Sequence, residues 1–122
     1  MILTPHIGGS TAESQVNIGK EVADKLVRFA GNGSTMALVN FPQVALPSQA
    51  SRKRRLHIHK NTPGVLAAFN ALLSQACINI CAQYMGTNND VGYVALDFNS
   101  TANRSALQAL CAVRGTICCR LV

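Results

Sequence analysis

The chain has 122 residues, of which 48% are hydrophobic and 13% charged, and its formal net charge is +6. This length allows one domain with an attached arm, and it excludes a dinucleotide-binding domain beside a full substrate domain. The composition excludes a largely disordered chain, and no apolar run reaches the roughly 18 residues of a membrane helix, so we expect no membrane partner.

The positive charge is concentrated in one short stretch. Five basic residues follow one another with no acidic residue between them: Arg52, Lys53, Arg54, Arg55 and Lys60. Such a run can hold the phosphates of a nucleic acid or an anionic membrane surface. It is more typical of a solvated linker that leads into a strand, and we favour that interpretation.

The cysteines indicate a reducing compartment. The chain has five of them, all inside apolar stretches: Cys77, Cys81, Cys111, Cys118 and Cys119. We expect free thiols that behave as small buried hydrophobes. The N-terminal sequence does not resemble a secretory signal, which favours a cytoplasmic protein. No CxxC pair occurs, and the adjacent Cys118 and Cys119 would point to opposite faces of a strand, so we predict no metal site.

The first predicted helix follows a loop rich in proline and glycine. Ser10 or Thr11 can cap it, and Glu13 stands at the capping-box position for Ser10. Apolar residues then recur at approximately helical spacing. The Gly-Asn-Gly sequence at 31–33 is typical of a helix end.

A connector separates this helix from the rest of the chain. Residues 34–50 contain two prolines and end in a polar PSQA stretch, which is typical of an extended segment. We therefore expect an N-terminal arm over residues 1–50 and a folded domain over residues 51–122.

The remainder of the chain alternates between strand and helix patterns. In the first strand, Leu56 and Ile58 lie on one face, and His57 and His59 lie on the other. The predicted elements are strand 55–60, helix 62–76, strand 78–86, strand 92–98, a helix capped by Thr101 and ended by Gly115, and strand 116–122. This β-α-β-β-α-β order predicts an α+β, ferredoxin-like fold, in which a four-stranded antiparallel sheet carries two helices on one face. Many unrelated functions use this order, so it does not decide the function.

The N-terminal segment carries the first of two family resemblances. LTPHIGGSTAESQVNIGKEVADKL resembles the end of the substrate domain of D-2-hydroxyacid dehydrogenases. The resemblance makes His6 the general acid/base that exchanges a proton with the substrate hydroxyl, and NAD the cofactor of the complete enzyme. The family's orienting glutamate and substrate-binding arginine lie earlier in its chain order, and Gly8-Gly9 is not a GxGxxG fingerprint. We therefore expect neither a cofactor nor catalysis in this chain alone, where His6 would be an exposed loop histidine.

The second resemblance concerns the folded domain. HIHKNTPGVLAAFN, followed by INI, resembles the opening of an ACT regulatory domain. In serine-regulated dehydrogenases this resemblance places L-serine, or a similar small amino acid, on His59 and Asn61, with Asn79 contributed from a second regulatory domain. Gly64 would let the backbone approach the ligand at a helix N-terminus, which favours a carboxylate. The resemblance therefore implies a homo-oligomer built by pairing ACT sheets, and feedback control by an amino acid.

Three positions depart from the family pattern. Thr62 stands in place of an expected arginine, and Ala50-Ser51-Arg52 replaces a Gly-Gly hinge. Ala76 replaces a glycine at the end of the helix, which would cost about 1 kcal/mol if the position needs positive φ. The three expected ligand residues are unchanged.

Other interpretations stay open. Without a ligand, His59 would be a solvent-facing histidine, Asn61 a turn residue and Asn79 a loop residue before a strand. The chain can also be part of the oxidising enzyme itself. RNA-binding modules share the fold, but they stack bases on aromatic residues of the first and third strands. The first strand offers only histidines, and Tyr93 and Phe98 of the third lie on opposite faces, so we do not favour a nucleic-acid partner.

Overall fold

The computed structural model describes residues 9–48, 53–98 and 104–122. Within these ranges the chain forms three helices and four strands. Their bounds are α1 Ala12–Asn32, β1 Lys53–Lys60, α2 Val65–Gln75, β2 Ile80–Thr87, β3 Val91–Phe98, α3 Arg104–Cys111 and β4 Thr116–Leu121. The predicted order of elements is confirmed, and the expected boundary after residue 50 lies outside the described residues.

The four strands form one antiparallel sheet with the order β2-β3-β1-β4. The central strands β1 and β3 run in opposite directions, with Lys53 opposite Phe98 and Lys60 opposite Val91. β2 and β4 are the two edge strands. Helices α2 and α3 contact each other and pack on one face of the sheet. This arrangement confirms the predicted ferredoxin-like fold.

Side chains alternate between two covered faces of the sheet. The helix-side core consists of Phe69, Leu73, Val94, Leu96, Phe98 and Leu110. The opposite face is covered by the connector, and its core consists of Val44, Leu46, Leu56, Tyr93 and Ala95. Each face therefore buries its own apolar set, which is why β3 is buried over almost its whole length.

The connector is organised by one buried hydroxyl. Thr35 is fully buried, and its Oγ1 donates to the Pro42 carbonyl at 2.7 Å and accepts from the Val44 N–H at 2.8 Å. The chain turns over residues 36–40 and then runs without regular structure to residue 48. The predicted connector is thus extended only after a compact turn.

The ends of α1 are set by their cap residues. Thr11 is the N-cap, because its hydroxyl accepts from the Ser14 N–H at 3.1 Å. Of the two predicted caps the structure uses Thr11, so the capping box between Ser10 and Glu13 is not the one that starts the helix. Gly33 is the C-cap, in agreement with the predicted Gly-Asn-Gly end.

Two arginines of the sheet hold the C-terminal end of α1. Arg120 donates to the Phe29 carbonyl and lies over the Phe29 ring, 4.6 Å from its centroid. Arg54 donates to the Asn32 carbonyl at 3.0 Å and is only 2% exposed. The expectation of a solvated basic linker is therefore wrong for Arg54. Its charge tolerates burial because it is paired with Asp97.

Several element boundaries differ from the prediction. β1 begins at Lys53, two residues earlier than predicted, and α2 begins at Val65 with Gly64 as its N-cap, so the predicted start at residue 62 is wrong. β2 begins at Ile80, later than predicted, because the Ile78 N–H bonds to the Leu73 carbonyl at 3.0 Å and closes the end of α2. α3 ends at Cys111, well before the predicted end at Gly115. The Ala112 N–H donates to the Ala109 carbonyl at 3.0 Å, which is the three-residue hydrogen bond of a 3₁₀ turn. The expected Thr101 cap lies outside the described residues.

The backbone strain that we expected at Ala76, after α2, lies instead at the next residue, Cys77. Ala76 has φ −81°, so it carries none of the cost expected for a missing glycine. Cys77 has φ 51°, in the left-handed region that non-glycine residues rarely adopt. The left-handed position of this turn is therefore occupied by a cysteine.

The cysteines are more exposed than predicted. None of the five forms a disulfide, but Cys77, Cys111 and Cys118 are exposed, and Cys81 and Cys119 are half-buried. The prediction of buried hydrophobes is wrong because these residues lie in a turn, at a helix end and on edge strands. Burial, followed by a hydrogen bond with Cys111, raises the pKa of Cys119 to about 12.

Candidate effector-binding site

β1 carries His59 to one end of the sheet. His59 lies opposite Gly92 of β3, and a methyl group on Gly92 would overlap the His59 ring. The absence of a side chain on Gly92 is therefore what allows the ring to lie across β3. His59 is only 1% exposed, so the interpretation of a solvent-facing histidine is wrong.

A second buried histidine stacks on His59. The ring centroids of His57 and His59 are 5.2 Å apart, and His57 also stacks on Phe69 at 4.4 Å. Its Nε2 lies 2.8 Å from the Thr116 hydroxyl. The Nδ1 atoms of both rings are buried and have no hydrogen-bond partner among the described residues. Orphaned buried nitrogens are exceptional in folded proteins.

The charge state of the two histidines follows from their burial. Burial, and after it the charges of His59 and Arg55, lowers the pKa of His57 to about 4. Burial also lowers the pKa of His59. Both rings are therefore neutral at pH 7, and each has one donor and one acceptor nitrogen.

Asn61 follows β1 and is fixed by the hairpin turn between β2 and β3. Its side-chain Nδ2 donates to the Asn88 carbonyl at 2.7 Å, and its backbone N–H donates to the Asp90 carbonyl at 2.9 Å. Asn61 is exposed. Asn61 is therefore a turn residue, as expected without a ligand, and hydrogen bonds hold it in place. His59 and Asn61 lie together at this end of the sheet.

Asn79 lies at the other end of the sheet. It directly precedes β2, whose first residue Ile80 pairs with Phe98, whereas His59 pairs with Gly92. The six residue steps from Gly92 to Phe98 span about 20 Å of strand. Within one chain, Asn79 is therefore remote from the other two candidate ligand residues.

Gly64 lies beside a cleft that does not include these three residues. It is the N-cap of α2 with φ 89°, which is sufficient reason for a glycine here, and an added Cβ would meet nothing within 4 Å. The cleft has a volume of about 760 Å³ and is lined by Lys60, Thr62, Pro63, Gly64, Val65, Ala68, Val113, Arg114, Gly115 and Thr116. Thr62, which stands where the family pattern has an arginine, therefore lines a cleft that also contains the cations Lys60 and Arg114.

Sequence reasoning missed two residues of this neighbourhood. Asn88 falls only in the gap between two predicted strands, and Gly92 only at the start of the second. Their signals are an asparagine in a hairpin turn and a glycine inside a strand, which can mark close approach by another group. The predicted catalytic residue His6 lies outside the described residues.

The two aromatic residues of β3 are not available for stacking bases. Tyr93 is buried, and its hydroxyl donates to the Gly33 carbonyl at 2.5 Å while Phe41 packs on its ring at 5.3 Å. Phe98 is buried under the helices. Both aromatic residues of β3 are therefore covered by the chain itself, which disfavours an RNA-binding function.

The four-stranded sheet with two helices on one face agrees with a known domain family. The family model of the AHAS small subunit-like ACT domain matches residues 56–118, and the chain belongs to the ACT-domain family. Its ACT portion comprises the sheet with α2 and α3.

The curated relatives are similar to the whole chain, including its arm. The chain is 50% identical over 124 residues to D-3-phosphoglycerate dehydrogenase of Escherichia coli (strain K12), and 49% identical over 122 residues to that of Haemophilus influenzae. It is 42% identical over 121 residues to that of Dictyostelium discoideum. The matches cover 99–100% of this chain, and the chain spans about 30% of the length of these relatives.

A solved structure shows the same fold at low sequence identity. The ACT domain from GTP pyrophosphokinase of Chlorobium tepidum is 12% identical, with a TM-score of 0.52, and the match covers 61% of this chain and 100% of that domain. Separately, no helix of the described ranges combines the length and the apolar character needed to cross a membrane.

Proposed function

We propose that this chain is the effector-binding part of a D-3-phosphoglycerate dehydrogenase, and that it binds L-serine or a similar small amino acid between two copies of its ACT domain. Such binding would provide feedback control of serine biosynthesis. The similarity to D-3-phosphoglycerate dehydrogenases over the whole chain supports the parent enzyme. The placement of β2 supports the two-copy site.

β2 is an edge strand, so its outer side is open to pairing with a second copy. In a two-fold antiparallel pairing centred on Ile80–Thr87, residue 79 of one strand lies opposite residue 88 of the other. The Asn88 carbonyl already accepts from Asn61 at 2.7 Å. Such a pair therefore brings Asn79 of the partner subunit beside Asn61 and unites groups that one chain holds about 20 Å apart.

The β4 edge does not achieve this. β4 pairs with β1 on the far side of the sheet from β2. A dimer joined along β4 would leave each Asn79 beyond the whole width of its own sheet. The two copies therefore pair along β2.

The groups gathered in this way suit a zwitterionic amino acid. The two asparagine amides both donate and accept hydrogen bonds, as ammonium and carboxylate groups require. Asn61 precedes α2, whose N-terminus has no side-chain cap and favours a carboxylate. The neutral His59 ring lies buried beside Asn61 at this end of β1, and its Nδ1 has no hydrogen-bond partner among the described residues.

The arm supports a longer parent enzyme as the alternative role of the same sequence. None of the α1 residues is buried, and five large apolar side chains of this helix are 44–69% exposed: Val16, Ile18, Val22, Leu26 and Val27. A face of this kind is a packing surface for another part of a dehydrogenase. In such an enzyme His6 would be the general acid/base, 3-phosphoglycerate the substrate and NAD the cofactor, bound by a separate domain. The cysteines without disulfides agree with a reducing, cytoplasmic setting.

Calorimetric titration of the chain with L-serine tests this proposal. We expect saturable binding with one site per chain, in a species that analytical ultracentrifugation shows to be a dimer. Asn61→Ala should weaken binding about tenfold, because it removes hydrogen bonds to a charged ligand. Asn40→Ala, a change to an exposed connector residue, serves as the matched control. A flat titration at millimolar serine with the dimer intact contradicts the proposal.

A further inference from the structure

We infer that Asn88 is a positioning residue of the effector site: it orients the Asn61 amide for the ligand and forms the wall that meets Asn79 of the partner subunit. The inference rests on the proposed function for its ligand, but its first step is a property of one chain.

Asn88 organises the turn between β2 and β3 through three hydrogen bonds. Its Oδ1 accepts from the Asp90 N–H at 3.0 Å and from the Val91 N–H at 2.7 Å. Its backbone N–H donates to the Val91 carbonyl at 2.9 Å. An asparagine that accepts from the backbone two and three residues ahead closes a turn locally. The position of the Asn88 carbonyl is therefore fixed by its own side chain.

That carbonyl fixes the Asn61 amide in one of its two orientations. The Asn61 Nδ2 lies 2.7 Å from the Asn88 carbonyl oxygen. Because a carbonyl only accepts, the nitrogen of the amide must face it, and a flipped amide would place two oxygens together. The second N–H of Nδ2 and the Oδ1 of Asn61 then face away from the turn. These are a donor for a carboxylate and an acceptor for an ammonium group.

The backbone holds the same contact from the other side. The Asn61 N–H donates to the Asp90 carbonyl at 2.9 Å. Asn61 is thus bound to the turn through both its main chain and its side chain. Since residue 88 lies opposite residue 79 in the β2 pairing, a turn held in this way also sets the position at which Asn79 of the partner subunit arrives.

Nuclear magnetic resonance of the ligand-free chain tests the first step. In the unmodified protein we expect a dispersed, slowly exchanging pair of Asn61 side-chain amide signals. Asn88→Ala removes both Oδ1 hydrogen bonds, so the Asn61 signals should move to the values of a free amide. Asn88→Ser retains a side-chain acceptor and should restore them. Asn89→Ala changes the neighbouring turn residue, whose side chain makes no hydrogen bond with the described residues, and should leave them unmoved. Unchanged Asn61 signals in Asn88→Ala overturn the inference.

Calorimetry with L-serine tests the second step on the same four proteins. Ordering one polar side chain before binding is worth about a three- to tenfold gain in affinity, so Asn88→Ala should lose that factor. Asn88→Ser and Asn89→Ala should stay within about twofold of the unmodified chain. Equal weakening by Asn88→Ser and Asn88→Ala overturns the positioning role. If neither the unmodified chain nor any variant binds serine, the proposed function is wrong. The Asn61 signals still decide in that case whether Asn88 orients the Asn61 amide.

Discussion

The Arg54 guanidinium meets the Asp97 carboxylate at two points inside the protein, with Nε 2.6 Å from Oδ1 and Nη2 2.9 Å from Oδ2. The remaining nitrogen, Nη1, donates to the Asn32 carbonyl at 3.0 Å and to the Pro47 carbonyl at 3.1 Å. Both charged side chains are 2% exposed. One side chain therefore joins β1 and β3 to the end of α1 and to the connector.

Asp97→Asn should lower the free energy of unfolding by about 3–5 kcal/mol, because it leaves the Arg54 charge buried without a counter-ion. Urea unfolding followed by circular dichroism measures this. Arg54→Met combined with Asp97→Leu removes both charges, and should cost less than Asp97→Asn alone.

Glu21→Gln provides the control for an ion pair, since Glu21 and Lys25 form an exposed pair at 2.8 Å on α1. This substitution should leave the urea midpoint unchanged. An Asp97→Asn protein as stable as the Glu21→Gln protein would show that the buried pair does not hold the connector on the sheet.

The stability of the chain should decrease in mild acid because of His57. The folded protein protonates this ring only near pH 4, whereas the unfolded chain does so near its ordinary pKa of 6.5. As the pH falls from about 6.5 to about 4, the unfolded state binds a proton that the folded state does not bind. The contribution of His57 to the free energy of unfolding should therefore be constant above pH 7 and fall by about 3 kcal/mol across this window.

Urea unfolding at half-unit pH intervals checks this dependence, with His57→Gln as the comparison. Glutamine keeps a neutral hydrogen-bonding end near the Thr116 hydroxyl but cannot titrate. The acid loss should shrink in this variant to the part contributed by His59, whose pKa burial also lowers. An identical acid loss in His57→Gln would assign the pH dependence to other groups.

Cys77 should be a site of stored backbone strain. Its φ of 51° suits glycine, so Cys77→Gly should raise the free energy of unfolding by up to about 1 kcal/mol. The neighbouring Ala76→Gly, at φ −81°, should lower it by about 0.5–1 kcal/mol, because glycine there only adds freedom to the unfolded chain. Thermal unfolding of the two variants decides the sign. Stabilisation by Ala76→Gly and destabilisation by Cys77→Gly would place the strain at the other residue.

Local patterns in the sequence predicted the helices and strands of the fold well. They predicted poorly the contacts between residues that are distant in the sequence. The alternation of Leu56 and Ile58 with His57 and His59 correctly predicts two faces, because side chains alternate in any strand. It does not predict that the connector covers the second face, since no periodic pattern marks that segment.

The same limit applies to the site. Asn88 lies 27 residues after Asn61, and Asp97 lies 43 residues after Arg54. No local propensity connects such pairs; only the register of β1 against β3 brings them together. The candidate ligand residues were predicted from family resemblance, which carries positions but not their neighbours. The turn that orients Asn61 therefore emerged only from the structure.

The two edge strands should differ in their effect on assembly and on serine binding. Met85 on β2 and Ile117 on β4 are similarly exposed, at 53% and 55%. Met85→Lys places a charge on each of two strands that we propose to pair, so it should convert the dimer to a monomer and abolish serine binding together. Ile117→Lys places the same charge on the other edge and should change neither. Analytical ultracentrifugation and calorimetry on the two variants measure both properties. Loss of the dimer in Ile117→Lys but not in Met85→Lys would move the interface to β4, and with it Asn79 of the partner subunit would be too distant from Asn61 to share a ligand.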